Sequence, residues 1–174
     1  MRRSSRWGTA SASVRVSNNF RDAMRRFPTG VTIVTTLTDG IPYGFTANAF
    51  TSVSADPPLV LICVNREASA HPMIARSSIF CVNILATGQE EIAKLFADHA
   101  RRTDRFAKLA TRRAATGAPV IDGCLAYVDC RLAEEHTAGT HTLFLGEVLD
   151  TGFVDGRPLG YVNGAYRDFG IDIP

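Results

Sequence analysis

Apolar positions change their spacing several times along this chain, and each change marks a new element. Phe20, Met24 and Phe27 recur at the helical interval; Ser17 or Asn18 can cap that helix, and Pro28 with Gly30 ends it. The segment VTIVTTL (Val31–Leu37) is then dominated by β-branched residues and stops at Asp39-Gly40, a hairpin-turn dipeptide. Tyr43–Phe50 follows at hairpin distance. Asp56-Pro57-Pro58 breaks the chain, and Leu59–Asn65 reads as a buried strand. Ser69–Ser78 predicts a short helix with Pro72 in its first turn, and Ile79–Leu85 predicts another strand. Thr87 and Glu90 have capping-box spacing ahead of an apolar face formed by Ile92, Leu95 and Phe96. Residues 97–119 are polar, basic and Ala-rich. They read as a second helical piece and a loop, anchored by Phe106 and Leu109. Cys124–Ala133, Thr142–Asp150 and Leu159–Asn163 predict three closing strands.

The total is about seven strands and three short helices. Strands and long helices do not alternate, which argues against a doubly wound parallel sheet. Hairpin spacing favours an antiparallel sheet, and closure into a barrel would remove its edges. The fold expected is mainly β, with a few short peripheral helices.

Composition narrows this picture only slightly. The 174 residues make one ordinary domain, and 45% hydrophobic with 21% charged residues is globular composition. No run approaches the roughly 18 apolar residues of a membrane helix, so no membrane partner is expected. Arg2, Arg3, Arg6 and Arg15 fall in residues 1–16 without an acid, while the remainder holds 15 basic and 17 acidic groups. Residues 1–16 therefore read as a disordered basic leader, without the apolar core of a signal peptide, ahead of a folded domain at 17–174. Four arginines are a weak electrostatic footprint, and no nucleic-acid partner is expected. Cys63, Cys81, Cys124 and Cys130 form no C-x-x-C pair and read as reduced thiols in a cytoplasmic protein. The four histidines lack zinc-site spacing. His71, His99 and His136 read as surface or capping residues.

G-x-G-x-x-G, G-x-x-x-x-G-K-[ST] and G-x-S-x-G are all absent. A nucleotide would therefore be held by side chains and exposed amides on the barrel surface. Six segments, taken together, resemble the short-chain flavin reductases, the reductase components of two-component flavin-dependent monooxygenases. They are FRDAMRRFPTGVTIVTT (Phe20–Thr36), GFTANAFTSVSADPPLVLICVN (Gly44–Asn65), SSIFCVNILATGQEEIAKLFA (Ser77–Ala97), GAPVIDGCLAYVDCRL (Gly117–Leu132), GTHTLFLGEV (Gly139–Val148) and PLGYVNGAY (Pro158–Tyr166). The resemblance implies a flavin-binding split β-barrel, usually a homodimer. It implies reduction of FMN or FAD by NADH or NADPH, and delivery of the reduced flavin to a partner monooxygenase. The same barrel also admits an FMN-binding protein with a different oxidase role, or a non-catalytic flavin-binding dimer.

The residues suit this chemistry, which consists mainly of positioning two cofactors. Thr46, Ala47, Asn48 and Ala49 are small or polar and let backbone approach a flat ring; Asn48 offers both donor and acceptor. By resemblance, flavin contacts fall on these four, with Thr51 and Ser52 just beyond. Cys63, Val64, Asn65, Ser69 and Ala70 fall where the family holds the ribityl chain and phosphate; a strand end entering a helix suits an anion, and Arg66 could add charge. Phe96 matches a position near the flavin, and reads more readily as helix core. His141 corresponds to a histidine near the nicotinamide, which makes it the expected catalytic residue. Tyr161, Gly164 and Tyr166 fall where the family closes over the nicotinamide, and Tyr161 reads equally as barrel core. Thr140 stands where the family often has an acid, and Asn163 where an arginine is frequent.

Overall fold

A computed structural model describes residues 13–98, 105–107 and 109–173. The expectation for His99, and most of that for residues 1–16, lies outside this set. The described residues form three helices: α1 (Ser13–Met24), α2 (Ala70–Ser77) and α3 (Glu90–Ala97). The strands are β1 (Thr29–Gly30), β2 (Thr32–Thr38), β3 (Ile41–Ala47), β4 (Phe50–Ala55), β5 (Pro58–Asn65) and β6 (Ile79–Ile84). They continue with β7 (Thr111–Arg113), β8 (Pro119–Ile121), β9 (Ala126–Ala138), β10 (His141–Phe153), β11 (Leu159–Val162) and β12 (Ala165–Asp168).

Seven strands make one antiparallel sheet in the order β3-β2-β6-β9-β10-β5-β4. Its two edges, β3 and β4, are successive in sequence and joined by Asn48-Ala49. One apolar core takes Val34 from β2, Ile62 from β5, Phe80 and Val82 from β6, Cys130 from β9 and Phe144 from β10. Strands from opposite halves of the sheet meet one core only if the sheet curls. The result is a barrel split between β3 and β4. Its other face is covered too: Ile33 packs with Leu85, Phe96 of α3, Ile121 of β8 and Leu159 of β11. Burial on both faces explains why β2 reads as a continuous β-branched run. Full burial of a side chain such as Ile33 or Ile62 contributes about 1.5–3 kcal/mol.

Several expectations are corrected here. α1 begins at Ser13, so four residues assigned to the leader are helical, and Ser17 and Asn18 fall inside the helix. Thr87 and Glu90 form no capping box, because the α3 N-cap is Gln89. The Thr87 hydroxyl donates to the Pro158 carbonyl instead, while Gln89 Oε1 accepts from the Ala86 N–H at 2.9 Å. No helix occupies the described part of 105–119; a β7–β8 hairpin stands there. Long-range polar contacts hold it. Asn83 accepts from the Ile121 N–H at 2.8 Å, and Asp129 accepts from the Thr116 N–H at 2.8 Å and its hydroxyl at 2.7 Å. His71 is half-buried, with Nε2 hydrogen-bonded to Thr142 Oγ1 at 2.8 Å and its ring 5.2 Å from that of Phe144.

Candidate functional site

The split in the barrel is where the predicted residues gather. A cavity of about 320 Å³ opens between the β3 and β5 ends, α2 and α3. Thr46, Ala47, Asn48, Ala49, Cys63, Val64, Asn65, Ser69, Ala70, Phe96 and His141 all line it. Strand pairing explains part of this convergence. β10 runs antiparallel to β5, with His141 opposite Asn65 and Thr142 opposite Val64. The Ala49 carbonyl accepts from the Cys63 N–H at 3.1 Å, which holds the β3–β4 link against β5. Alanines at 47, 49, 68 and 70 keep the walls low, while Tyr43, Phe45 and Phe96 supply flat apolar surface. This donor-and-surface set fits a planar heteroaromatic ring with a polar tail.

Individual side chains are committed in ways the sequence did not reveal. Thr46 donates its hydroxyl to the Ala93 carbonyl of α3 at 2.6 Å, so it ties β3 to α3. Asn65 Oδ1 accepts from the Glu67 N–H at 2.9 Å. Ser69 stands at the N-cap of α2 without a side-chain capping bond; its hydroxyl pairs with the Tyr43 phenol. Phe96 is both core and wall, 1% exposed and edge-on to Phe106 at 5.2 Å. His141 is exposed at the cavity and shares a hydrogen bond with Thr140 through Nδ1 at 2.9 Å. Burial pushes the Cys63 thiol above its ordinary pKa.

Two further cavities adjoin the first. One of about 200 Å³ is lined by Tyr161 and Tyr166 together with Thr46, Ala47 and Asn48. The two tyrosines are register partners on β11 and β12, with rings 5.5 Å apart. Burial, then the neighbouring Tyr161, raises the Tyr166 phenol. The other, about 500 Å³, runs between α1 and the β11–β12 hairpin and is lined by Gly164, Tyr161, Asn48 and Ala49 among others. Asn48 borders all three cavities.

Thr51 and Ser52 line none of these cavities. They lie exposed on β4, where Thr51 donates to the Ser52 carbonyl, because β4 turns back along β5 after Phe50. Arg66 is exposed as well and lines none of these cavities. Tyr43 and Arg105 line the cavity of about 320 Å³ without having been singled out in the sequence. Arg105 is 3% exposed and donates to the Gly44 carbonyl at 2.6 Å and to the Asp98 carbonyl.

A sequence model of the flavin reductase like domain matches residues 24–170. This chain belongs to the flavin reductase-like family. The reductase is 37% identical over 160 residues to the reductase subunit HsaB of a flavin-dependent monooxygenase from Rhodococcus jostii, covering 91% of this chain and 81% of that one. It is 40% identical over 153 residues to the FMN reductase (NADH) SmoA of Agrobacterium fabrum, covering 88% and 86%. Among solved structures, the NADH:FAD oxidoreductase SgcE6 of Streptomyces globisporus, in complex with NAD and FAD fragments, superposes with a TM-score of 0.83. That likeness carries 38% identity and covers 93% of this reductase and 96% of the other chain. The split barrel is therefore the fold of relatives as well as of this chain.

Proposed function

We propose that this chain is an NAD(P)H-dependent flavin reductase that supplies reduced FMN or FAD to a separate monooxygenase. The observation that carries the reading is the meeting of three cavities at Asn48, in a chain of this family. When bound, the two cofactors supply the hydride chemistry themselves. The residues of this chain position them and exclude water. The low alanine walls with Phe45 and Phe96 would hold a flat ring system, and the Asn48 carboxamide would pair with its polar edge. Tyr161 and Tyr166 would hold the nicotinamide from the neighbouring cavity. His141, oriented by Thr140, offsets negative charge developing at the mouth. A hydroxyl in place of an acid beside His141 leaves the imidazole without a charged partner there. Cys63–Asn65, Ser69 and Ala70 form the polar-tail end, where the Tyr43–Ser69 hydrogen bond fixes the wall.

We further propose a homodimer in the cytoplasm. No described helix is long and apolar enough to cross a membrane, and Cys63, Cys81, Cys124 and Cys130 are all free thiols. The functional test is NADH and NADPH oxidation with and without FMN, FAD or riboflavin. Oxidation that requires flavin supports a reductase using flavin as a substrate. Flavin binding without oxidation of either nucleotide would favour the non-catalytic alternative. Light scattering on an eluting peak tests the dimer; a mass near 18.9 kDa would refute it.

A further inference from the structure

We propose that His71 is a positioning residue for His141: from α2 it holds the start of β10 through Thr142, and so fixes where the His141 imidazole stands at the cavity. This rests on the flavin reductase reading, in which His141 acts on the reacting cofactors. His71 and Thr142 line none of the three cavities, so any part they play passes through another residue.

His141 stands where an anchor matters. It is the first residue of β10, it is exposed, and it follows the turn at Gly139, where φ is 59°. Strand ends and loop tips are the segments that open most readily. The hydrogen bond between His141 and Thr140 lies within the same turn and gives no hold from outside. One external hold is backbone: His141 pairs with Asn65 of β5, and the Arg66 N–H donates to the Thr140 carbonyl at 3.0 Å. A second is the side-chain bond between Thr142 Oγ1 and His71 Nε2, 2.8 Å long.

Successive residues of a strand point to opposite faces. His141 faces the cavity, whereas Thr142 is 4% exposed and Phe144 belongs to the barrel core. Against that inner face lies α2, seated by the buried Ala70 and Ile74. His71 sets its ring 5.2 Å from that of Phe144 and presents Nε2 to Thr142. An imidazole meets both demands, with an apolar body against a buried ring and a polar tip at a buried hydroxyl. Ser69 and Ala70, at the head of the same helix, have supports of their own. The Tyr43 phenol ties Ser69, and the His71 backbone N–H donates to the Ala68 carbonyl at 3.0 Å whatever side chain stands at 71. Removing the His71 side chain therefore leaves the polar-tail wall in place and frees the strand that carries His141. Misplacing a group at a reacting centre by about 1 Å can cost on the order of a hundredfold in rate.

The test is steady-state NADH oxidation by the full chain, with FMN and with FAD in turn, in the wild type, His71→Ala, His141→Ala and the double variant, with thermal unfolding of each. His71→Ala lowers kcat about fivefold and leaves the KM values for flavin and NADH within about twofold. His141→Ala lowers kcat at least as much. Adding His71→Ala to it costs no more than about a further 1.5-fold, because no imidazole is left to place. A merely structural His71 would slow both backgrounds by the same factor. Equal losses in the two backgrounds overturn the proposal, as does wild-type kcat in either single variant. If His71→Ala does not fold, Thr142→Val, which replaces the hydroxyl by a methyl group, runs the same cycle under the same criteria. Wild-type protein without flavin-dependent NADH oxidation refutes the reductase reading and this proposal with it. An active wild type whose turnover ignores His71 overturns the positioning role alone.

Discussion

Asn48 lies at the junction of three cavities and is exposed at the split of the barrel. Asn48→Ala should weaken flavin binding by about 1–2 kcal/mol, the net worth of a paired amide. A fluorescence titration measures this, and unchanged affinity would return Asn48 to solvent. His141→Ala should lower turnover with NADH while flavin affinity stays within a few-fold; a large loss of flavin binding would place His141 on the wrong cofactor. The sequence points to Asn48 through a small, polar run in a strand otherwise rich in aromatics, and to His141 only through the family resemblance of its segment. Tyr43 and Arg105 were not readable. Each earns its place through a partner distant in sequence, Ser69 for the one and the Gly44 carbonyl for the other. Thr51 and Ser52 lie past the start of β4, exposed and outside the three cavities of the single chain.

Among elements, α3 is held against β3 more tightly than periodicity could show. A Cβ on Gly44 would lie 2.7 Å from Phe96 Cε1 and 3.2 Å from Phe106 Cζ. Gly44→Ala should therefore cost about 1–3 kcal/mol of stability through overpacking, read as a lowered urea midpoint. It should also weaken flavin binding, since the displaced Phe96 ring is a cavity wall. Stability loss with intact flavin affinity would remove Phe96 from the site. The β7–β8 hairpin supplies a pH prediction. Burial raises the Asp129 carboxyl above its ordinary value of 3.8 despite its bonds from Thr116. A raised folded pKa favours the protonated native state, so this contribution is full below the ordinary value and is lost as pH rises through the folded one. Asp129→Asn should flatten that limb of the stability profile in denaturant titrations; an unaltered limb would contradict the assignment. The hairpin itself carried a signal, Thr116-Gly117 ahead of the β-branched pair Val120-Ile121, but the alanines and arginines before it favour helix by propensity. Tertiary bonds from Asn83 and Asp129 decide against it. The β11–β12 hairpin was half visible: Asn163-Gly164 is a strong turn pair, yet the four residues of β12 are too few to show a period.

Across the whole molecule, the antiparallel barrel was legible because β-branched runs alternate with turn dipeptides, Asp39-Gly40 foremost. The sheet order was not, since β2 pairs with β6 and β5 with β10 across long stretches of chain. That order makes β3 and β4 the two edges and opens the site between them. A site formed by the split itself needs no glycine-rich phosphate loop, which accounts for the absence of those motifs. The central claim is that this opening brings flavin and reduced nicotinamide together for hydride transfer. The direct measurement is steady-state NADH oxidation by the purified full chain, followed by the loss of NADH absorbance with and without added FMN or FAD. Oxidation should be rapid, depend on flavin and fall in His141→Ala. Flavin binding without oxidation of NADH or NADPH would contradict it.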